Sequence, residues 1–183
     1  MTLAGTNPQQ TETPLATVLS EYQTESGRTL LELLGESPLL LVFLRHFGCS
    51  FCRQTLDDVS RLRAEIEGRG IRPVFVHLGT PERARPYFDY YHLSDIERVS
   101  NPDASLYTGP VFQLRRKQAF SHFLVPEVWR AWLLGAVRKH GIGTIQEDAD
   151  QMPGIFFLRD RAVVRVFRYR TIADEPDYLK LIA

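Results

Sequence analysis

The only two cysteines of the chain, Cys49 and Cys52, sit two residues apart in the run Arg45-His46-Phe47-Gly48-Cys49-Ser50-Phe51-Cys52-Arg53. Two sulfurs at this spacing can cycle between dithiol and disulfide, or they can ligate a metal. A closed structural zinc site needs about four ligands. No second cysteine pair exists, and His46, His77, His92, His122 and His140 show no close ligand spacing. A static structural disulfide is also disfavoured, because so short a loop restrains little of the unfolded chain. Redox chemistry is the reading that remains, with no metal and no cofactor expected.

The flanking elements say where such a pair would sit. Leu39-Leu40-Leu41-Val42-Phe43-Leu44 is apolar without alternation, as expected of a strand buried on both faces of a sheet. After Cys52, the residues Leu56, Val59, Leu62 and Ile66 recur at helical spacing. The pair therefore lies where a central strand gives way to a helix. Unpaired N–H groups and the positive end of the helix dipole favour a thiolate there. Cys49, at the lip of the turn, is expected to be exposed and to attack. Cys52 shares the inward stripe with Leu56 and is expected to be buried and to resolve. Arg45, His46 and Arg53 are expected to support the thiolate with positive charge.

The order strand, C-x-x-C, helix resembles the thioredoxin superfamily. The wider run Phe43 to Arg53 resembles, more narrowly, its peroxiredoxin-like group, which includes the selenoprotein L relatives and the AhpC/TSA-type antioxidant proteins. The likeness extends weakly from about Leu30 to the C-terminus. It implies a thioredoxin-like α/β fold, a central mixed sheet flanked by helices. It also implies a cis-proline before a final hairpin, facing the sulfurs, and Pro153 occupies that place; Met152 and Pro153 are thus expected to face substrate. Two departures accompany the likeness. Ordinary peroxiredoxins have a Pro and a Thr where this chain has Val42 and His46, so the usual peroxide-activating hydroxyl is missing, with Arg45, Arg165 or Arg168 as substitutes. Thioredoxins have a buried acid on the strand before the motif, and Leu39–Leu44 contains none; His46 is a candidate base instead.

Along the rest of the chain, residues 1–14 read as a flexible N-terminal arm and 15–183 as one domain. Leu15–Tyr22 reads as a short strand or turn, and Thr29–Leu34 as a helical turn ended by Gly35. Pro73–Leu78 and Arg98–Ser100 read as strands around a helix from Pro81 to about Tyr91. A helical insertion spans about 106–146, with an amphipathic helix from Glu127 to His140. Its basic run Arg115-Arg116-Lys117 reads as a solvated face. Ile155–Leu158 and Ala162–Phe167 form a hairpin, and a terminal helix begins at Asp174-Glu175-Pro176.

Lys and Arg balance Asp and Glu at 22 each, so no global field argues for nucleic acid or anionic membrane. No apolar stretch is long enough to cross a bilayer, and the first residues lack the basic and apolar regions of a secretory leader. A cytoplasmic location is expected, with the dithiol as resting state. The expected activity is thiol–disulfide exchange with a disulfide-bearing protein, re-reduced by a dithiol, thioredoxin-type donor. The alternatives are a thiol peroxidase acting on a hydroperoxide and a non-catalytic redox-sensing or binding module. Phe88, Tyr90 and Tyr91 are candidates for a homodimer face.

Overall fold

A computed structural model describes residues 14–117 and 147–183. The helix expected over 127–140 and most of the arm lie outside the described residues. Five strands form one mixed sheet in the order β3-β2-β1-β4-β5. Here β1 is Leu39–Phe43, β2 Arg72–His77, β3 Arg98–Ser100, β4 Gly154–Arg159 and β5 Ala162–Arg168. β1 and β2 run parallel, as do β2 and β3, while β4 is antiparallel to both β1 and β5. The described helices are α1 (Pro14–Glu21), α2 (Leu30–Glu36), α3 (Ser50–Gly68), α4 (Pro81–Tyr90), α5 (Ser105–Thr108) and α6 (Tyr178–Leu181).

Every residue of β1 is buried because its two faces serve two cores. Leu40 and Val42 pack with Leu56, Val59 and Ile66 of α3 and with Phe75 and Phe88. Leu39, Leu41 and Phe43 pack on the other side with Leu19 of α1, Leu30 and Leu33 of α2, and Tyr107. This double burial is the physical content of the unbroken apolar run. It leaves the C-terminal end of β1 as the one place where the strand meets solvent-facing chemistry.

Several element boundaries differ from expectation. Leu15–Tyr22 is helical, with Leu15, Ala16 and Leu19 on the buried side, so the first described residues pack on the domain. α2 runs through Gly35 and stops at Ser37, whose extended backbone (φ −158°, ψ 156°) is what a following proline imposes. A reciprocal Thr29–Glu32 capping box opens it. The terminal helix starts only at Tyr178, capped by Asp177. Asp174 instead accepts hydrogen bonds from Arg170 N (2.9 Å) and Thr171 Oγ1 (2.7 Å), holding a loop where a helix was expected. The aromatic face dissolves as well: Phe88 and Tyr91 belong to the core, and only Tyr90 is exposed, at 75 %.

The hairpin turns at Asp160 and Arg161, both left-handed at φ 52° and 58°, the geometry that suits the twist of two paired strands. The hydroxyl of buried Tyr107 reaches the carbonyls of Leu44, just after β1, and of Val76, near the end of β2. Replacing it takes the hydroxyl donor from the Leu44 carbonyl, while Val76 O keeps the Leu44 N–H. Tyr107→Phe is therefore expected to destabilise the fold by about 1–3 kcal/mol in a urea melt, with loss of protection at the Cys49 loop in hydrogen exchange.

Candidate active site

The loop from Leu44 to Cys49 is pinned at each end. Leu44 N donates to Val76 O (2.8 Å), Cys49 N to His46 O (3.0 Å), and Arg53 Nε to Phe47 O (2.8 Å). Phe47 stacks on Tyr87 with ring centroids 4.7 Å apart, and the Arg53 guanidinium lies over the same tyrosine at 5.2 Å. Cys49 is the N-cap of α3 with an extended backbone, and Cys52 stands one turn in. Both are free thiols.

The sequence reading expects Cys49 to be exposed, yet it is only 9 % exposed, against 4 % for Cys52. The cover is tertiary: Phe51, Thr55, Pro153, Tyr169 and Ile172 surround the sulfurs in a cavity of about 10 Å³, room for about one water. Tyr169, Thr55 and Ile172 were not identifiable as site residues, because nothing local marks a residue just after β5 as a neighbour of position 49.

The two sulfurs are electrostatically unequal. The Cys52 thiol donates to the Cys49 sulfur, and together with the charge of Arg45 and the N–H groups of Cys52 and Phe51 this holds the Cys49 thiol below the ordinary range, against the cost of burial. Cys52 is pushed up, first by serving as that donor and then by burial and by the neighbouring charge. Arg45 N also donates to Cys52 Sγ at 3.3 Å.

Of the three residues expected to add positive charge, Arg45 does so. It is 4 % exposed, lines the cavity, and uses Nη2 on the carbonyl of Ala149. Its Nε and Nη1 have no hydrogen-bond partner among the described residues. His46 is pushed down to about 4 by burial and by the charges of Arg45, Arg83 and Arg53, so it is neutral at neutral pH and adds no charge. Arg53 is engaged by Phe47 and Tyr87. Arg165 donates to the carbonyls of Lys180 and Leu181, and Arg168 to those of Phe112 and Gln113; neither lines the cavity.

Pro153 does line the cavity, while Met152 packs with Ile172 beside it. The cis bond expected at Pro153 is absent: no peptide bond among the described residues is cis. The preceding residues are instead held by pairing of Gln151 with Arg116 and by Met152 N donating to Arg115 O at 3.0 Å. Met152 O accepts from Gln151 Nε2 at 3.3 Å. The Met152 N–H, the group of this segment that an extended substrate chain would need, is thus already bonded. No carboxylate among the described residues lines the cavity, in keeping with the acid-free β1. No three His, Cys, Asp or Glu side chains converge as metal ligands would among the described residues, and no described helix is long and apolar enough to cross a membrane.

Set against solved structures, this architecture is similar to peroxiredoxin Q of Xanthomonas campestris, at TM-score 0.59 and 15% identity, covering 86% of this chain and 85% of that one. It is similar to peroxidoxin BcpB from Mycobacterium tuberculosis, at 0.58 and 14%, covering 83% and 82%. A secreted Mycobacterium tuberculosis disulfide oxidoreductase homologous to E. coli DsbE aligns at 0.51 and 15%, covering 86% and 89%. The fold is thioredoxin-like. Identities this low make the likeness one of fold alone. No protein-family model matches the chain. Among curated proteins, the prostamide/prostaglandin F synthase of Salmo salar is 34% identical over 58 residues, which are 32% of this chain and 29% of that protein, so the match spans under a third of the relative. Against the cis-proline that the family resemblance implies, this chain has a trans bond at Pro153.

His46 makes one consequence measurable. The unfolded chain takes up a proton at His46 near pH 6.5, whereas the folded chain takes it only near 4. More protons are bound unfolded in that window, so stability falls as pH drops from 6.5 to 4, by up to about 3 kcal/mol. Urea melts at pH 7 and pH 4.5 should show a larger loss for the wild type than for His46→Asn; equal losses would remove this assignment.

Proposed function

We propose that the chain is a thiol–disulfide oxidoreductase working through Cys49 and Cys52. The observation that carries the reading is the asymmetry of the pair: one sulfur lowered by three donors and a guanidinium, the other raised and hydrogen-bonded to it. The Cys49 thiolate attacks one sulfur of a substrate disulfide, and the other sulfur leaves as a thiolate that takes a proton. Cys52 then gives up its proton and attacks Cys49 Sγ, displacing the second substrate thiol. Two electrons pass to the substrate, which leaves as the dithiol, and a Cys49–Cys52 disulfide remains. A dithiol donor of the thioredoxin type returns the pair to the reduced state, and a reducing, cytoplasmic setting suits that resting state.

A second reading, a thiol peroxidase, is favoured by the water-sized cavity and by Arg45 Nε and Nη1, two nitrogens without a hydrogen-bond partner among the described residues. Here Cys49 attacks the terminal oxygen of a hydroperoxide, the alcohol leaves with a proton, and Cys52 condenses with the sulfenic acid to release water. The fold shared with peroxiredoxin Q and the short match to a protein named for prostaglandin F synthesis are consistent with small-molecule chemistry at this pair.

Cys49→Ser is expected to reduce turnover of a disulfide or hydroperoxide to the background of a free-thiol control. Cys52→Ser should instead accumulate mixed disulfides, visible as mass adducts on Cys49. Full activity of Cys49→Ser would overturn both readings. Alkylation of Cys49 should rise with pH about a midpoint below the ordinary thiol value of about 8.5, because the thiolate is the reacting form. Arg45→Met should move that midpoint upward.

A further inference from the structure

The basic run Arg115-Arg116-Lys117, read from sequence as a solvated face, is tied to the segment beside the cysteines. Arg116 bridges to Gln151, Met152 N donates to Arg115 O, and Lys117 N donates to Asp150 O at 2.7 Å. The end of β5 approaches the same place, where Arg168 Nη1 donates to Gln113 O (3.0 Å) and Lys117 Nζ to Arg170 O (3.3 Å). Between them lies a cleft of about 740 Å³, within the size range of small-ligand sites. Among the described residues, Arg115, Arg116, Lys117, Arg168 and Arg170 line it, and no carboxylate does.

Arg116 pairs with Asp148 (2.5 Å) and Arg170 with Asp174 (3.4 Å). Arg115, Lys117 and Arg168 have no carboxylate partner among the described residues. In a chain whose formal charges cancel, this is a local concentration of positive charge with a definite position. That position matters because Pro153 and Tyr169 line both the cleft and the cysteine cavity, so the two spaces adjoin.

We infer that this cleft selects small, carboxylate-bearing disulfides, holding the anionic group on Arg115, Lys117 and Arg168 while the reducible bond faces Cys49. The inference rests on Cys49 being the attacking sulfur, as proposed above. Guanidinium forks match carboxylates in geometry as well as charge, and a one-signed cleft concentrates anions. An extended peptide is the poorer fit, because Pro153 has no N–H and that of Met152 is already bonded, leaving side chains to do the recognition.

The test compares alkylation of the reduced, full-length protein by iodoacetate and by iodoacetamide, each rate normalised to a small free thiol at the same pH and salt. The normalised preference of Cys49 for iodoacetate should be about tenfold at low salt, the lower end of focusing by a charged cleft, and should shrink as salt is added. Arg115→Gln with Lys117→Gln should remove most of it while leaving the iodoacetamide rate unchanged, which also reports an intact fold. Arg159→Gln with Arg165→Gln, an equal charge loss at two residues outside the cleft, should not. Dithiodipropionate should likewise be reduced faster than bis(hydroxyethyl) disulfide after the same normalisation. Fast reaction with both alkylating reagents but no anion preference would overturn the cleft assignment and leave Cys49 as attacker. Slow reaction with both would overturn the two together. A preference for an acidic peptide disulfide without one for dithiodipropionate would overturn the small-molecule assignment.

Discussion

The structure depends on one constraint: a strand buried on both faces must end in a helix start that carries a sulfur. β1 is sandwiched between two cores, so its direction and register are set by packing against β2, β4, α3 and the α1–α2 layer. A one-residue slip would reverse which side chains enter which core. The position of Cys49 inherits that precision, because only a short loop separates it from Phe43, and Tyr107, the Phe47–Tyr87 stack and the Arg53 bond to Phe47 O remove the remaining freedom. A nucleophile placed in this way loses little entropy on meeting its substrate.

The electrostatics follow from what is buried with the sulfurs. Taking a guanidinium out of water is costly unless its charge is compensated and its N–H groups are bonded. Arg45 is almost fully buried, bonded to a carbonyl, and leaves two N–H groups unbonded among the described residues. Its natural counter-charge is the Cys49 thiolate, and each stabilises the other's charged form. The same guanidinium is one reason His46 stays neutral, so Arg45 acts on two titratable neighbours in opposite senses. With no carboxylate base among the described residues lining the cavity, the proton leaving Cys52 passes directly to the departing thiolate or to a water in the small cavity.

The mouth of the site is built by chain far from it. Residues 147–153 are strapped across the cysteine loop by Arg83 pairing with Glu147, by Arg45 on Ala149, and by the bridge from Gln151 to Arg116. This strap narrows access to Cys49, occupies the Met152 N–H, and carries the basic run to the edge of the cavity. Closure of the sulfurs and the charge of the adjoining cleft are therefore two results of one piece of packing.

The amino-acid sequence alone determined the strand, the sulfur pair, the helix that follows and the final hairpin, because these are written in local periodicity and in the spacing of two cysteines. The mixed thioredoxin-like sheet was legible only through the family resemblance carried by the run from Phe43 to Arg53. Only the tertiary structure decided that Cys49 is covered, that Arg45 brings charge to it while His46 stays neutral, and that the bond before Pro153 is trans. It also decided that Arg115 and Lys117 meet Arg168 beside the sulfurs. Burial, protonation and charge clustering depend on which distant segments arrive at one point in space, and that is set by sheet register and loop packing, which no local pattern records.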